Sequence, residues 1–135
     1  MPRVTTEIKD HIAHVTLTRA DKMNGVDIEM AEALVAAGQA LLTDQSIRAV
    51  VLAGEGRAFC AGVDLKVLQG SDPQGGKIGD LFDRPAREAC YAIRDASCPV
   101  IAKVHGACFT GALEIALHCD FIFTTQSTKF GDTHA

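Results

Sequence analysis

The chain of 135 residues lacks tryptophan, has one tyrosine, and contains no apolar run near the roughly 18 residues of a membrane span. Its first residues form no apolar signal core, so we expect neither a secretory signal nor a transit peptide. A net charge of −4 gives no general attraction to nucleic acid or to an anionic membrane. Because 47% of the residues are hydrophobic, the chain is not disordered. The sequence therefore predicts one globular domain without nucleic-acid or membrane partners.

Metal and redox motifs are also missing. The five cysteines form no C-x-x-C pair, and the five histidines lack the spacing of metal ligands. There is no phosphate-binding loop, no G-x-S-x-G elbow and no H-E-x-x-H motif. We therefore expect reduced cysteines that act as small core residues, a cytoplasmic location, no metal site and no cofactor.

What is present alternates between strand and helix patterns. Asp27 is a candidate N-cap for an amphipathic helix, and residues 49–53 are wholly apolar, which favours a strand buried on both faces of a parallel sheet. A turn at Lys9 and Asp10 is expected to join the first two strands. This order predicts the α/β class. Strands are predicted at 4–8, 13–18, 49–53, 100–104 and 121–123, and helices from 27 to about 44, around 82–93 and at 112–118.

Two other stretches carry no periodic pattern. Residues 70–79 contain four glycines and one proline, which predicts a mobile surface loop. The last residues follow a predicted strand and provide no helix to cover it, which leaves a sheet edge open. We therefore expect a truncated chain.

The candidate catalytic residues lie in two segments, 57–66 and 105–114. Small residues around Val63 would present free backbone amides, and Asp64 is a candidate cap of a short helix. Thr110 is a candidate N-cap that would leave the Gly111 amide unpaired, with Glu114 about one turn later. Two amides and a carboxylate suit carbonyl chemistry. On this local pattern alone, a packing glycine and a solvated acid are the favoured interpretation.

Taken together, these segments resemble the crotonase family, the enoyl-CoA hydratase/isomerase superfamily. Residues 57–66 resemble its element A-F-C-A-G-A-D-L-K, and residues 105–120 resemble G-x-x-x-G-G-G-x-E-L-A-x-x-C-D. Residues 17–25 resemble the early stretch L-N-R-P-x-K-x-N-A. The resemblance implies a spiral of β-β-α repeats, here the N-terminal part of the domain over residues 1–135, truncated before its C-terminal helices.

The resemblance also implies site residues. The oxyanion hole for an acyl-CoA thioester would be the amides of Val63 and Gly111, and Glu114 would be the first catalytic glutamate. Arg57 is a further candidate cation for the phosphates of coenzyme A, which is itself part of the substrate. The residues implied to bind coenzyme A or substrate are Lys22, Ala61, Asp64, Leu65 and Lys66.

Four positions depart from the family pattern. His134 stands where hydratases place a second glutamate, Val63 replaces an alanine, and Thr110 and Ala112 flank Gly111 in place of a glycine triplet. A histidine transfers protons near neutral pH, so hydration of a 2-enoyl-CoA remains the function implied. The alternatives are an isomerase that uses a single glutamate, a non-catalytic acyl-CoA-binding or assembly paralogue, and an inactive fragment. The resemblance also implies a trimer or hexamer for the full-length protein and a role in fatty acid metabolism.

Overall fold

The computed structural model describes residues 2–63 and 78–131, and the side chains of all of these except 78–83. It forms an α/β fold with two sheets. The strands are β1 (Val4–Lys9), β2 (Ile12–Leu17), β3 (Ala49–Gly54), β4 (Val100–Val104), β5 (Ala107–Phe109), β6 (Phe121–Thr124) and β7 (Lys129–Gly131). The helices are α1 (Ile28–Leu42), α2 (Ile78–Arg94) and α3 (Gly111–Leu117), with a short 3-10 turn at Ala20–Lys22.

The larger sheet has the strand order β1-β2-β3-β4-β6, in which only β1 runs antiparallel to its neighbour. The β1–β2 hairpin is confirmed, but its turn lies at Asp10 and His11 and not at Lys9 and Asp10. Both turn residues have positive φ, 53° and 66°, as a tight two-residue hairpin turn requires. His11 therefore belongs to the turn, and His14 lies on β2 opposite Glu7.

The helices formed where apolar periodicity predicts them. Asp27 caps α1, since its side chain accepts a hydrogen bond of 2.8 Å from the Met30 amide. The second predicted helix starts earlier than its apolar stripe, at Ile78, so Ile78 and Gly79 of the predicted loop are helical. The rest of that loop, 70–77, lies outside the described residues. Among the described residues no helix is long and apolar enough to cross a membrane.

One face of the large sheet holds the core. On β3, Val50 and Leu52 are buried, and they align with Val100 and Ala102 of β4. Helices α1 and α2 pack against each other, and their buried side chains belong to the same apolar cluster as this face. The close approach of the helices brings Gly38 so near Ala92 that a Cβ at Gly38 would lie 2.9 Å from the Ala92 Cβ.

The opposite face of the large sheet is open in the part of the chain that the structure describes. Val51 and Ala53 are only partly buried, and Phe121 and Phe123 on β6 are 58% and 63% exposed. The prediction that β3 is buried on both faces is therefore wrong for the described residues: the strand alternates between buried and half-buried positions. An apolar composition does not by itself show whether a second layer covers a parallel strand.

The second sheet was not expected from the sequence. Strands β5 and β7 pair in parallel, and an isolated bridge joins Cys60 to Cys108 on β5. The segment between β4 and α3, for which the sequence predicts neither a strand nor a helix, therefore contains a strand, β5. This small sheet matters for the site because it holds the segment after β3 against the residues that precede α3.

All five cysteines are free thiols, as expected, and Cys60, Cys90 and Cys108 are buried. Burial raises the pKa of the Cys60 thiol to about 12 and that of Cys108 to about 11. Among the described residues no group of three histidine, cysteine or acidic side chains has the geometry to hold a metal ion.

These buried thiols predict a loss of stability in alkali. Above the ordinary cysteine pKa of 9.0, the unfolded chain releases protons that the buried thiols of Cys60 and Cys108 retain. The contribution of these thiols to the unfolding free energy is therefore fully present below about pH 9. It falls by up to about 1.4 kcal/mol per pH unit for each thiol as the pH rises towards the folded pKa. Urea unfolding between about pH 8 and about pH 10.5 measures this slope. The Cys108→Ala variant should show a shallower slope, and an unchanged slope would contradict the prediction.

Candidate active site

The candidate site begins with the loop between β2 and α1, which holds the segment 60–63. Ala61 donates its amide to the Met23 carbonyl oxygen at 2.9 Å, and the Cys60 thiol contacts the Asn24 carbonyl oxygen at 3.0 Å. Val26 donates its amide to the Gly62 carbonyl oxygen at 2.8 Å. Three successive contacts therefore fix the backbone that leads to Val63.

A buried asparagine organises this loop. Asn24 is fully buried, has a φ of 56°, and accepts a hydrogen bond of 2.8 Å from the Arg19 amide. Its side-chain amide donates to the carbonyl oxygens of Glu55 and Ala58, both at 2.9 Å. Asn24 thereby ties the loop to the end of β3 and provides a donor to the carbonyl oxygen of the buried Ala58. Sequence reasoning quoted this residue within a motif but did not assign it a role.

The Val63 amide faces away from this loop. Val63 forms a parallel bridge with Val26, in which the Val26 amide donates to the carbonyl oxygen of Gly62, the residue before Val63. In a parallel bridge of this kind Val26 makes the hydrogen bonds, and the N–H of Val63 points to the other side. Gly62 has a φ of +103°, and a Cβ there would lie 2.7 Å from the Phe109 carbonyl oxygen. Only glycine fits this approach, which brings Val63 close to the start of α3.

Gly111 supplies the second amide. A Cβ on Gly111 would lie 3.2 Å from Val63 Cγ2 and 3.8 Å from Val63 N, so the two residues are almost in contact. The first hydrogen bond of α3 runs from the Glu114 amide to the Thr110 carbonyl oxygen at 3.0 Å. Within residues 2–63 and 78–131, neither the Val63 amide nor the Gly111 amide donates a backbone hydrogen bond. Two donors are therefore available side by side.

Thr110 is held by its backbone. It occupies the N-cap position of α3, but its side chain makes no capping hydrogen bond, which corrects the prediction. Its φ of 50° and ψ of −101° are not those of an ordinary capping residue. Its amide instead donates to the Gly131 carbonyl oxygen on β7 at 2.7 Å. The second sheet, and not a side-chain cap, therefore sets the start of α3.

A cavity of about 240 Å³ joins these parts. Val63, Gly111 and Glu114 all line it, and the Glu114 side chain is exposed at its opening. Burial and the nearby Glu114 carboxylate raise the pKa of the Cys90 thiol, on the opposite wall, to about 11. Two amide donors and a carboxylate thus share one space, as carbonyl chemistry requires.

His118 is a further residue of this cavity that sequence reasoning missed. It follows Glu114 by four residues, which places both on one face of α3. Its Nδ1 lies 2.7 Å from the Glu114 carbonyl oxygen and, since a carbonyl only accepts, donates to it. The spacing of four residues was the signal that could have found it.

The other predicted site residues are only partly described. Lys22, at the end of the 3-10 turn, and Arg57, after β3, are exposed. Ala61 is half-buried beside the Val63 segment. The remaining predicted residues, Asp64, Leu65, Lys66 and His134, lie outside the described residues.

Comparison with known proteins identifies the family of the chain. Residues 7–135 match the family model described as enoyl-CoA hydratase/isomerase. The chain belongs to the enoyl-CoA hydratase/isomerase family. Within this family, it is 34% identical over 125 residues to a probable enoyl-CoA hydratase of Rhizobium meliloti (strain 1021), covering 93% of this chain and 47% of that protein. It is 31% identical over 134 residues to the mitochondrial Delta(3,5)-Delta(2,4)-dienoyl-CoA isomerase of Mus musculus, covering 93% of this chain and 41% of that protein.

Solved structures of the enoyl-CoA hydratase/isomerase family show the same fold. An enoyl-CoA hydratase/carnithine racemase from Magnetospirillum magneticum superposes with a TM-score of 0.91 at 33% identity, over 98% of this chain and 49% of that one. A putative enoyl-CoA hydratase from Streptomyces coelicolor A3(2) superposes with a TM-score of 0.85 at 35% identity, over 95% of this chain and 47% of that one. The fold is therefore that of the crotonases. The chain spans about half the length of these relatives.

Proposed function

We propose that the protein hydrates acyl-CoA thioesters as an enoyl-CoA hydratase-like lyase. The observation that carries this proposal is the shared cavity, where the Val63 and Gly111 amides adjoin the Glu114 side chain. Family membership supports the acyl-CoA thioester as the substrate class. Coenzyme A enters this chemistry only as the carrier of the acyl group.

The amides act on the thioester oxygen. As water adds to C3 of a 2-enoyl thioester, the electron pair of the double bond moves towards C1 and negative charge develops on the carbonyl oxygen. The N–H groups of Val63 and Gly111 then form an oxyanion hole that donates to this enolate oxygen. Because both amides belong to fixed backbone, they need little rearrangement as the charge develops.

Glu114 acts on the water. Its carboxylate takes one proton while the water oxygen bonds to C3, and C2 of the enolate then takes a proton from an acid. We assign that second transfer to His134, following the resemblance. The proton on Glu114 then returns to His134 through solvent, so that the sum is the addition of one water across the C2–C3 double bond.

The coenzyme A moiety would lie along the Val63 segment. Ala61, Asp64 and Leu65 are assigned to its binding, again by resemblance. Lys22 and Arg57 are exposed, which leaves their charges available to phosphates, and Lys66 is assigned the same role.

A second candidate activity is the isomerisation of a 3-enoyl thioester. It is favoured by one observation: among the described residues, Glu114 is the only carboxylate that lines the cavity. A single glutamate suffices if it takes a proton from C2, the enolate forms, and the same proton returns to C4. No water is consumed in this reaction.

The products distinguish these two activities. We expect the protein to convert a 2-enoyl-CoA to a 3-hydroxyacyl-CoA that carries ¹⁸O when the reaction is run in labelled water. A 3-enoyl-CoA converted to the 2-enoyl product without ¹⁸O would instead establish the isomerase. Thioester binding without either product would support a non-catalytic paralogue, and absence of binding would contradict the whole proposal.

We also infer an oligomeric state, a location and a metabolic role from the resemblance. A trimer, or a hexamer of two trimers, located in the cytoplasm and acting in fatty acid metabolism, is the arrangement it implies. Sedimentation equilibrium tests the trimer, and a monomer at all concentrations would contradict it.

A further inference from the structure

The wall of the cavity that belongs to α2 ends in a cation, Arg87. Arg87 lines the cavity with an exposed side chain. Its neighbours on the helix differ: Arg84 pairs with Glu88 at 3.2 Å, and Arg94 pairs with Asp95 at 2.9 Å. Among the side chains that the structure describes, Arg87 forms no ion pair, and it does not reach Glu114 although both line the same cavity. With respect to the residues that the structure describes, its guanidinium is therefore available to a ligand.

Hydrogen-bonding groups accompany this cation. Tyr91 lies four residues after Arg87, hence on the same face of α2, and its side chain is 44% exposed at the cavity. The ring of His118, the residue that caps the C-terminal end of α3, also lines the cavity. Since Nδ1 of His118 is held by the Glu114 carbonyl oxygen, its Nε2 is the nitrogen left for a ligand. The opening thus offers a cation and two polar side chains.

The inner wall has a different chemistry. Ala89, Cys90 and Ile115 are at most 8% exposed and contribute apolar surface. An acyl chain in contact with this wall is desolvated, whereas a group beside Arg87 keeps part of its hydration. A charged end group there avoids most of the cost of burial, and the guanidinium offsets the remainder. A methyl end group would gain nothing from these polar partners.

We propose that the preferred acyl group ends in a carboxylate, bound by Arg87 at the cavity opening with Tyr91 beside it. The substrate class is thus the monothioester of a dicarboxylic acid with coenzyme A. This inference rests on the proposed function and narrows it. Arg87 acts here as a residue that determines specificity and takes no part in proton transfer.

Two saturated thioesters of equal chain length test the proposal by calorimetric binding. Glutaryl-CoA ends in a carboxylate and valeryl-CoA in a methyl group, and neither has a double bond to hydrate. We expect glutaryl-CoA to bind the wild-type protein about fivefold more tightly at low ionic strength, with the preference shrinking in salt. Arg87→Gln should remove the preference and leave the affinities for valeryl-CoA and free coenzyme A unchanged. Arg87→Lys should retain part of it.

Arg84→Gln is the matched control, because Arg84 is exposed on the same helix, is paired to Glu88, and does not line the cavity. It should leave the preference intact. Equal wild-type affinity for the two thioesters would overturn this inference and spare the proposed function. An equal loss of affinity for free coenzyme A and both thioesters in Arg87→Gln would also overturn it, because Arg87 would then serve the phosphates. Absence of binding by any thioester would overturn both proposals.

Discussion

The Glu114→Gln variant is expected to hydrate a 2-enoyl-CoA about 10²- to 10⁴-fold more slowly than the wild-type protein, with thioester binding retained. Glutamine has nearly the same shape as glutamate, but its amide cannot take a proton from water. The Val63 and Gly111 amides still hold the thioester oxygen, because they belong to the backbone. The Glu114 side chain is exposed, so the substitution should not unfold the protein. Steady-state kinetics and calorimetric binding of a saturated thioester measure the two effects separately.

A matched control is Glu32→Gln. Glu32 is an exposed glutamate on α1 that does not line the cavity, so its loss changes the net charge by the same amount without affecting the site. Its turnover should equal that of the wild type. If Glu114→Gln turned over substrate at the same rate as Glu32→Gln, the role assigned to Glu114 would be wrong.

The Asn24→Asp variant is expected to lose about 3 kcal/mol of unfolding free energy. Aspartate keeps the size of the side chain and the acceptor for the Arg19 amide, but it cannot donate to the carbonyl oxygens of Glu55 and Ala58. It also introduces a charge at a position that is fully buried. Chemical unfolding in urea near neutral pH measures the loss.

Asp21→Asn provides the comparison for this variant. Asp21 lies three residues before Asn24 in the same loop and is exposed, so removal of its charge should alter the unfolding free energy by less than about 0.5 kcal/mol. A similarly small change in Asn24→Asp would show that the loop is not held by the asparagine amide.

The sequence predicted those elements whose pattern is local. The stripe of apolar residues in α1, the Asp27 cap and the apolar run of β3 all lie within a few turns of backbone, where composition and spacing suffice. Strands β5 and β7 have three residues each, and neither is long enough to show alternation. They form because β5 and β7 pair with each other in the folded protein, with Cys108 opposite Phe130. The sequence of either strand alone does not indicate this pairing.

The features of the site likewise include some that are local in the sequence and others that depend on tertiary structure. The spacing of Gly111 and Glu114 is a local property of α3, so the sequence alone placed both on one side of the helix. The proximity of Val63 to Gly111 depends on the second sheet and on Gly62, and was expected only through the family resemblance. Arg87 was not foreseen at all, because the orientation of α2 about its own axis decides which arginine meets the cavity.

The open face of the large sheet separates two properties that usually change together. Substitutions at Val50 or Leu52 remove contacts from the core and lower the unfolding free energy. Polar substitutions at Phe121 or Phe123 remove few such contacts, since both rings are mostly exposed among the described residues. They reduce instead the apolar surface through which one molecule can adhere to another. In the part of the chain that the structure describes, the residues that stabilise the fold and the exposed apolar residues thus lie on opposite faces of one sheet.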